Sequence, residues 1–484
     1  MLRKLSVVLF SAGALALGGC SSSSTPPDGG TDLCTAITSG CTAFPTGTTE
    51  ATISAALNTA APHSTFVFGT GTFSFTNTLT LSSAAGITLV GQGIGTTILD
   101  FTNQAAGSAG ISSTNNQDVT FSKFTIQNTP GDGIKVEGGN GVIFQTVQAT
   151  WTNPSPITHG AYGIYPVQSQ SILVDSCQVS GARDTGIYVG QSFNIIVRNN
   201  MVQNNVAGIE IESSVNADVY GNTATGNAGG ILVFALPGLS PPPGTPAGTT
   251  DGTSNVRVFN NTINANNGVN FGDPSGTVAQ VPSGTGSFVL AGSNVELYSN
   301  TITNNSSVGF AVVAYFIINP TFDPTDMNQN PTGLNPFSSN IYIHDNTFTN
   351  NGSAPISENE GPDGGTYTNQ LGELLAVLIL EGAFTKIPDI LWDGIGDEAP
   401  PVNYVPPTAP TNSTSAGTPP NPSEISIASG ESAGFANLNF PVLVPGGNPA
   451  DLNPSAIATN EAPFLVTTAP PGFPLPGVDA GVIP

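Results

Sequence analysis

One phrase, an outward-facing residue and a glycine ahead of an apolar run, is written five times between residues 131 and 234. It reads Gly131-Asp132-Gly133-Ile134-Lys135-Val136, then Ala161-Tyr162-Gly163-Ile164-Tyr165-Pro166 and Asp184-Thr185-Gly186-Ile187-Tyr188-Val189. Val206-Ala207-Gly208-Ile209-Glu210-Ile211 and Ala228-Gly229-Gly230-Ile231-Leu232-Val233 follow. The Gly-Ile pairs recur after 30, 23, 22 and 22 residues. A period near 22 is too long for a heptad and too short for a two-helix repeat. It predicts stacked rungs of a β-solenoid, each of which buries its apolar face only against its neighbours.

A second phrase follows each triplet: Ile195-Ile196-Val197-Arg198-Asn199-Asn200, Ala217-Asp218-Val219-Tyr220-Gly221-Asn222 and Val256-Arg257-Val258-Phe259-Asn260-Asn261. It returns at 295–300 and 341–346. Alternation puts one face inward and one outward. The closing residues Asn200, Asn222, Asn261, Asn300 and Asn346 then form one column, continued toward the N-terminus by Cys177, Val147 and Phe124. Stacked Asn side chains at a turn are expected to bond the rungs above and below. Cys177, inside this column, reads as a buried apolar thiol, since reactive thiolates need electropositive surroundings.

These rows resemble the right-handed parallel β-helix proteins, the superfamily of pectate lyases and polygalacturonases. They resemble more closely a family of exported bacterial β-helix repeat proteins without an assigned function. The resemblance rests on Tyr162-Gly-Ile-Tyr-Pro-Val167, 184–192, 205–212 and 229–234 and covers roughly 45–440. It implies an all-β, single-stranded right-handed parallel β-helix, with irregular loop insertions, and says little about chemistry.

Residues 1–19 read as a secretory signal: Arg3 and Lys4, an apolar run to Leu17, then Gly18, Gly19 and Cys20. The ending resembles a lipobox, which implies lipidation (palmitate among the acyl chains) at Cys20 and an outer-membrane lipoprotein held by its anchor alone. Residues 20–44 form a Ser/Pro/Gly tether, in which Cys34 and Cys41 are expected to close a disulfide loop of an exported protein. The β-helix proper is expected over 45–350. Thr48-Thr49-Glu50 opens a short helix with Ile53, Leu57 and Ala60 on one face, suited to plug the first rung. Pro- and Gly-rich excursions at 236–252, 267–286 and 319–338 should gather on one face, as solenoid insertions do. Residues 351–440 read as C-terminal rungs with a capping helix at 370–381, and 441–484 as an extended Pro/Gly-rich tail.

Charge narrows the partners. Once the signal is removed, six basic residues face 32 acidic ones, a net charge of −26. Such a surface excludes nucleic acid, which needs a basic footprint. It also disfavours anionic glycans. Lys135, Tyr165, Tyr188 and Glu210 occupy one outward column, a row able to stack sugar rings on tyrosine faces and hydrogen-bond hydroxyls at its ends. Tyr162 lies beside it in a turn with His159. Asp132, Lys135, Arg183 and Asp184 are the candidate catalytic groups if the face acts as a polysaccharide lyase or hydrolase. A stabilising aromatic ladder is the plainer reading of the same row. Polygalacturonase-like Asp clusters and pectate-lyase-like cation clusters are absent. Tyr162-Gly-Ile-Tyr-Pro-Val167 faintly resembles the Tyr-Gly-Phe-Asp-Pro-His motif of mannuronan epimerases, with its Asp and His replaced by Tyr165 and Val167. No His pair has metal-ligand spacing. The expected molecule thus binds a polysaccharide or another envelope component, such as a protein partner, without cofactor or metal; a spacer with no small-molecule site is the remaining possibility.

Overall fold

The computed structural model describes residues 33–35, 37, 39–82, 85–105, 107, 109–245, 252–361, 364–395, 425–431, 433–438, 457–459 and 464–478. Signal, Cys20 and the stretch 400–422 lie outside them.

The chain coils into parallel rungs. A typical one runs Thr185–Gly190, Phe193–Arg198 and Met201–Gln203, and the next runs Ala207–Glu212, Val215–Tyr220 and Thr223–Thr225. The first strand of each rung joins an 11-stranded sheet, and the other two join a 21-stranded sheet. Both sheets pair in parallel, as a right-handed β-helix requires. Inward residues stack on their own kind. Ile187, Ile209 and Ile231 form one column, while Val197, Val219, Val258, Leu297 and Ile343 form another. All are at most 1% exposed, and each contributes on the order of 1.5–3 kcal/mol of burial.

Turning the chain three times per rung buries backbone N–H groups at the corners, and the structure satisfies them in one way throughout. At each corner a residue in the left-handed region precedes a buried polar side chain. In one rung these pairs are Gln191 (φ 45°) with Ser192, Asn199 (φ 56°) with Asn200, and Asn204 (φ 55°) with Asn205. The buried side chain accepts the N–H of the equivalent corner residue one rung earlier. Asn222 Oδ1 takes the Asn200 N–H (2.9 Å) and the Asn200 Nδ2 (2.9 Å), while its own Nδ2 donates to Val197 O and Asn261 Oδ1. This ladder runs through Asn200, Asn222, Asn261, Asn300 and Asn346. A second, parallel ladder runs through Asn205, Asn227, Asn266, Asn305 and Asn351. Hydroxyls do the same work at the third corner, where Ser192 and Ser214 receive the Ser169 and Ser192 N–H groups. The two Asn ladders end on carboxylates, Glu431 and Asp389, which accept from the last amides without needing a further rung.

The repeated glycine is a matter of space. Gly186, Gly208 and Gly230 have no positive φ. A Cβ at Gly208 would lie 2.5 Å from Gly230 O on the next rung and 2.9 Å from Val202 Cγ2, with Asn227 Nδ2 at 3.0 Å, so the close approach of the next rung's backbone leaves no room for a side chain.

At the N-terminal end, helix α1 (Glu50–Asn58) is capped by Thr49, whose hydroxyl accepts from the Thr52 N–H, and buries Ile53 and Leu57 over the first rung. Cys34 and Cys41 form a disulfide with a Cα–Cα distance of 5.9 Å. At the other end Ile390–Trp392, Ile425–Ala428 and Phe435–Asn437 continue the sheets. Residues 464–478 are not loose. Leu465–Val466 pairs with the strand at 425–428, and Leu475 N and Val478 N donate to Glu296 and Asp218 on the outside of the large sheet. The excursions at 236–252, 267–286 and 319–338 share one apolar layer with the outer face of the 11-stranded sheet. Leu236, Phe271, Val278 and Leu334 pack there with Leu232, Phe234 and Leu290. Helix α2 (Gln370–Leu380), capped by Asn369, adds Leu375 and Leu378 against Leu391.

Replacing Asn222 with Leu leaves the buried Asn200 N–H and the Asn200 side-chain amide without their acceptor, at roughly 1–3 kcal/mol for each lost group. Asn222→Leu and Asn227→Leu are therefore each expected to lower the thermal midpoint by several degrees. Exposed Asn267→Leu should leave it within a degree.

Candidate functional site

The outer face of the 11-stranded sheet carries the candidate residues. Strand alternation turns Ile134 and Val136 inward and Lys135 outward, and in register above it come Tyr165, Tyr188 and Glu210. The neighbouring outward column is Glu137, Val167, Gly190 and Glu212. Tyr162 sits at the strand entrance opposite Thr185. Its ring lies 4.5 Å from Tyr165 and 4.6 Å from Tyr188, and the last two are 5.0 Å apart, edge to face. Three tyrosines thus form one cluster, in the tilted and T-shaped geometry that ring quadrupoles favour.

The cluster is not the flat, open row expected from the sequence. Tyr188 is only 5% exposed and Glu210 only 2%. Gly190 is the cause: with no side chain two positions along, the Tyr188 ring lies down over it, its atoms 2.3–2.6 Å from where a Cβ would be. Its hydroxyl then reaches across the rung and donates to Glu212, while Gln191 Nε2 donates to that hydroxyl at 3.1 Å. Tyr162 and Tyr165 remain half-buried at the rim. Regular stacking of the kind a flat row implies occurs instead on the large sheet, where Tyr220, Phe259, Tyr298 and His344 stack at 4.8–5.0 Å.

Four carboxyls surround the rings: Asp132, Asp184, Glu210 and Glu212. Glu212 was missed in the sequence, although its spacing of two from Glu210 within a strand places both on one face. Burial pushes Asp132 up to about 7, against backbone hydrogen bonding at Tyr162 and the pull of Lys135. Burial likewise pushes Glu212 up to about 7 and Asp184 up to about 6, with hydrogen bonds from Tyr188, and from Thr185 and Tyr162, acting the other way. Glu210 is held well above the ordinary carboxyl range by burial and by the charges of Asp184 and Glu212. Its Oε1 has no hydrogen-bond partner. The phenol of Tyr188 is likewise raised by burial beside Glu212 and stays protonated. Near neutral pH this face holds several protonated carboxyls beside tyrosine hydroxyls, groups that both donate and accept.

The basic candidates are otherwise engaged. Lys135 pairs with Glu137 at 2.8 Å and stands 5.5 Å from the Tyr165 ring centre. Arg183 reaches Asp273 of the 267–286 insertion at 3.4 Å, rather than pairing locally in its own turn, although Asp184 still feels its charge. His159 has both ring nitrogens against backbone carbonyls, Gly181 O at 2.6 Å and Asn153 O at 2.8 Å, which removes it as a base. It stacks on Trp151 in the wall of a separate groove of about 450 Å³ at the adjoining corner. Cys177 is buried and its thiol is pushed up to about 12 by burial, consistent with packing rather than reactivity. Among the described residues, no group of three His, Cys, Asp or Glu converges as metal ligands.

The sequence pattern of the family described as right handed beta helix region matches residues 71–237. No curated protein matches the chain. Among solved structures it is similar to the A-module of the Azotobacter vinelandii mannuronan C-5 epimerase AlgE4, at 15% identity and TM-score 0.41, over 63% of this chain and 85% of that one. It is similar to an alginate lyase from Paenibacillus sp. str. FPU-7 at 14% identity and TM-score 0.41, over 64% and 95%. A tailspike protein of E. coli bacteriophage HK620 matches at 12% identity and TM-score 0.41, over 64% and 54%. These neighbours are right-handed parallel β-helix proteins.

The raised carboxyls make stability depend on pH in a stated direction. Ordinary values are 3.8 for Asp and 4.5 for Glu, so the folded chain holds these protons more tightly than the unfolded one. Their contribution is complete below about pH 4 and is lost as pH rises through about 6–7. His344, raised above 6.5 despite burial by hydrogen bonds to Glu296 and Asp345, acts in the same sense. Asp175, lowered by Arg198 and Asn199 against burial, acts oppositely and only at acid pH. The thermal midpoint is therefore expected to fall between pH 5 and pH 8. Asp132→Asn and Glu212→Gln should each flatten that fall.

Proposed function

We propose that the outer face around Tyr162, Tyr165 and Tyr188 binds a neutral glycan of the cell envelope, with the chain held at the outer membrane by lipid on Cys20. The observation that carries the reading is the pairing of an aromatic cluster with carboxyls that burial raises to about neutral pH or above, so that a protonated fraction persists there. Sugar hydroxyls need donors and acceptors side by side, and sugar C–H faces need an aromatic surface. Uncharged carboxyls supply the first, and the rim tyrosines Tyr162 and Tyr165 the second. An anionic glycan would find Lys135 already paired with Glu137 and Arg183 with Asp273.

A second reading has its own support. The charge of Asp184 adds to burial in raising Glu210, so Glu210 stands ready as an acid while Asp184, at about 6, ionises first. That division is what glycosidic cleavage or elimination asks of two carboxyls. One polysaccharide panel, scored for binding and for product release, separates the two. Tyr165→Ala is expected to weaken binding of a neutral glycan several-fold, the equivalent of about 1 kcal/mol of stacking, in a protein that stays folded with a modestly lower thermal midpoint. Product release abolished by Asp184→Asn, with binding retained, would establish the enzyme. Failure of every glycan to bind would remove both readings and leave a spacer or a protein-binding surface.

Among the described residues, no helix is long and apolar enough to cross a membrane. The anchor reading rests on Leu17-Gly18-Gly19-Cys20 and on the Ser-rich stretch after it. Cys20→Ala is expected to move the protein from the membrane fraction to the soluble one. Unchanged fractionation would end the lipoprotein reading.

A further inference from the structure

Beyond Glu210 the same outward column turns apolar. Leu232, Phe288, Ala311 and Leu391 follow it in register, rung upon rung. Over them lie the short helical turn Thr277–Gln280 and helix α2, and between cover and sheet remains a cavity of about 90 Å³. Val278, Phe288, Ala311, Leu374 and Leu391 line it, and its walls are almost wholly apolar. Glu210 stands at its edge. That carboxyl belongs to the tyrosine cluster on one side and to the cavity on the other.

Glu210 is 2% exposed, and its Oε1 meets no hydrogen-bond donor in the protein. Buried polar atoms are almost always paired, and an unpaired one at the edge of a cavity points to a donor supplied from outside the chain. The sheet offers, in order, a rim of aromatic rings and protonated carboxyls, one unpaired acceptor, and then hydrocarbon. From Glu210 to Ala311 is three rungs, about 14 Å at ~4.8 Å each.

We propose that the ligand is an amphiphilic glycoside. Its sugar rests against Tyr162 and Tyr165, a hydroxyl donates to Glu210 Oε1, and its alkyl or acyl chain enters the cavity beneath α2. The inference rests on the glycan reading of the tyrosine face and adds the apolar tail. It also accounts for two features that a plain polysaccharide site leaves unexplained: the space kept open under α2 and the unpaired oxygen at its edge.

The test is calorimetric titration of the full chain with methyl, butyl, hexyl and octyl β-D-glucopyranosides below their micelle concentrations. Affinity should rise by about fourfold for each methylene that enters the cavity, the increment expected from burying one CH₂, and then level off. Ala311→Phe, which fills the cavity, should flatten that rise and leave methyl glucoside binding unchanged. Tyr165→Ala should weaken the whole series alike. The chain-length series on the unaltered protein stands alone if Ala311→Phe does not fold. If octyl glucoside binds no tighter than methyl glucoside, the tail site is wrong and the glycan reading stands. If octyl glucoside binds but is indifferent to Tyr165→Ala, the sugar makes no use of the tyrosine face and both fall. Absence of binding throughout the series overturns the proposal.

Discussion

The structure depends on how a chain that turns three times per rung keeps its buried corner N–H groups satisfied. Strands pair with neighbours above and below, but a corner interrupts that pairing just where the backbone is most enclosed. Here every regular corner uses the same device: a left-handed residue, then a short polar side chain turned inward to accept the N–H of the rung before it. Asn suits it best, because one amide accepts two hydrogen bonds and donates two. Stacking also dictates composition. The glycine of each repeat exists because the carbonyl oxygen of the next rung's glycine, 2.3–2.8 Å away, stands where its side chain would be.

An interior committed to ladders and aliphatic columns leaves function to the outer faces, and the two faces have been used differently. Outside the large sheet, ring stacking from Tyr220 to His344 and ion pairs such as Arg257–Asp218 (2.6 Å) tie rung to rung, and residues 464–478 cross them. These are interactions of a supporting wall. Outside the smaller sheet, insertions form a second layer, and under its edge lie carboxyls that a freely exposed strand would hold ionised. Burial is the largest cause of each shift, and the charges of neighbouring carboxyls add to it. Chemical capacity on this face therefore follows from the covering layer as much as from the strands.

Much of this was legible in advance. The 22-residue period, inward alternation and one Asn column could all be read from the sequence. The second Asn column is written as plainly, five residues after the first in Asn200/Asn205, Asn222/Asn227 and Asn261/Asn266, but the three-residue strand before it is too short to display alternation. The Ser ladder was hidden, since Ser at a turn has many uses. Tyr188 was placed in the correct column but given the wrong posture, for its ring lies over Gly190 instead of standing free.

Local rules suffice for whatever repeats. Period and alternation assign each residue a rung, a column and a side, because stacking makes every rung's environment the same as the next. They do not reach side-chain posture, burial or ionisation on the outer face, which depend on segments remote in sequence. Phe271, Val278 and Leu375 come to rest over a sheet whose strands begin more than a hundred residues earlier, and no periodicity connects them to it. Asp132, Asp184, Glu210 and Glu212 were fixed as neighbours by the repeat. That each holds its proton to a higher pH than a free carboxyl was decided by burial, since the cost of a buried charge is set by the surroundings as a whole.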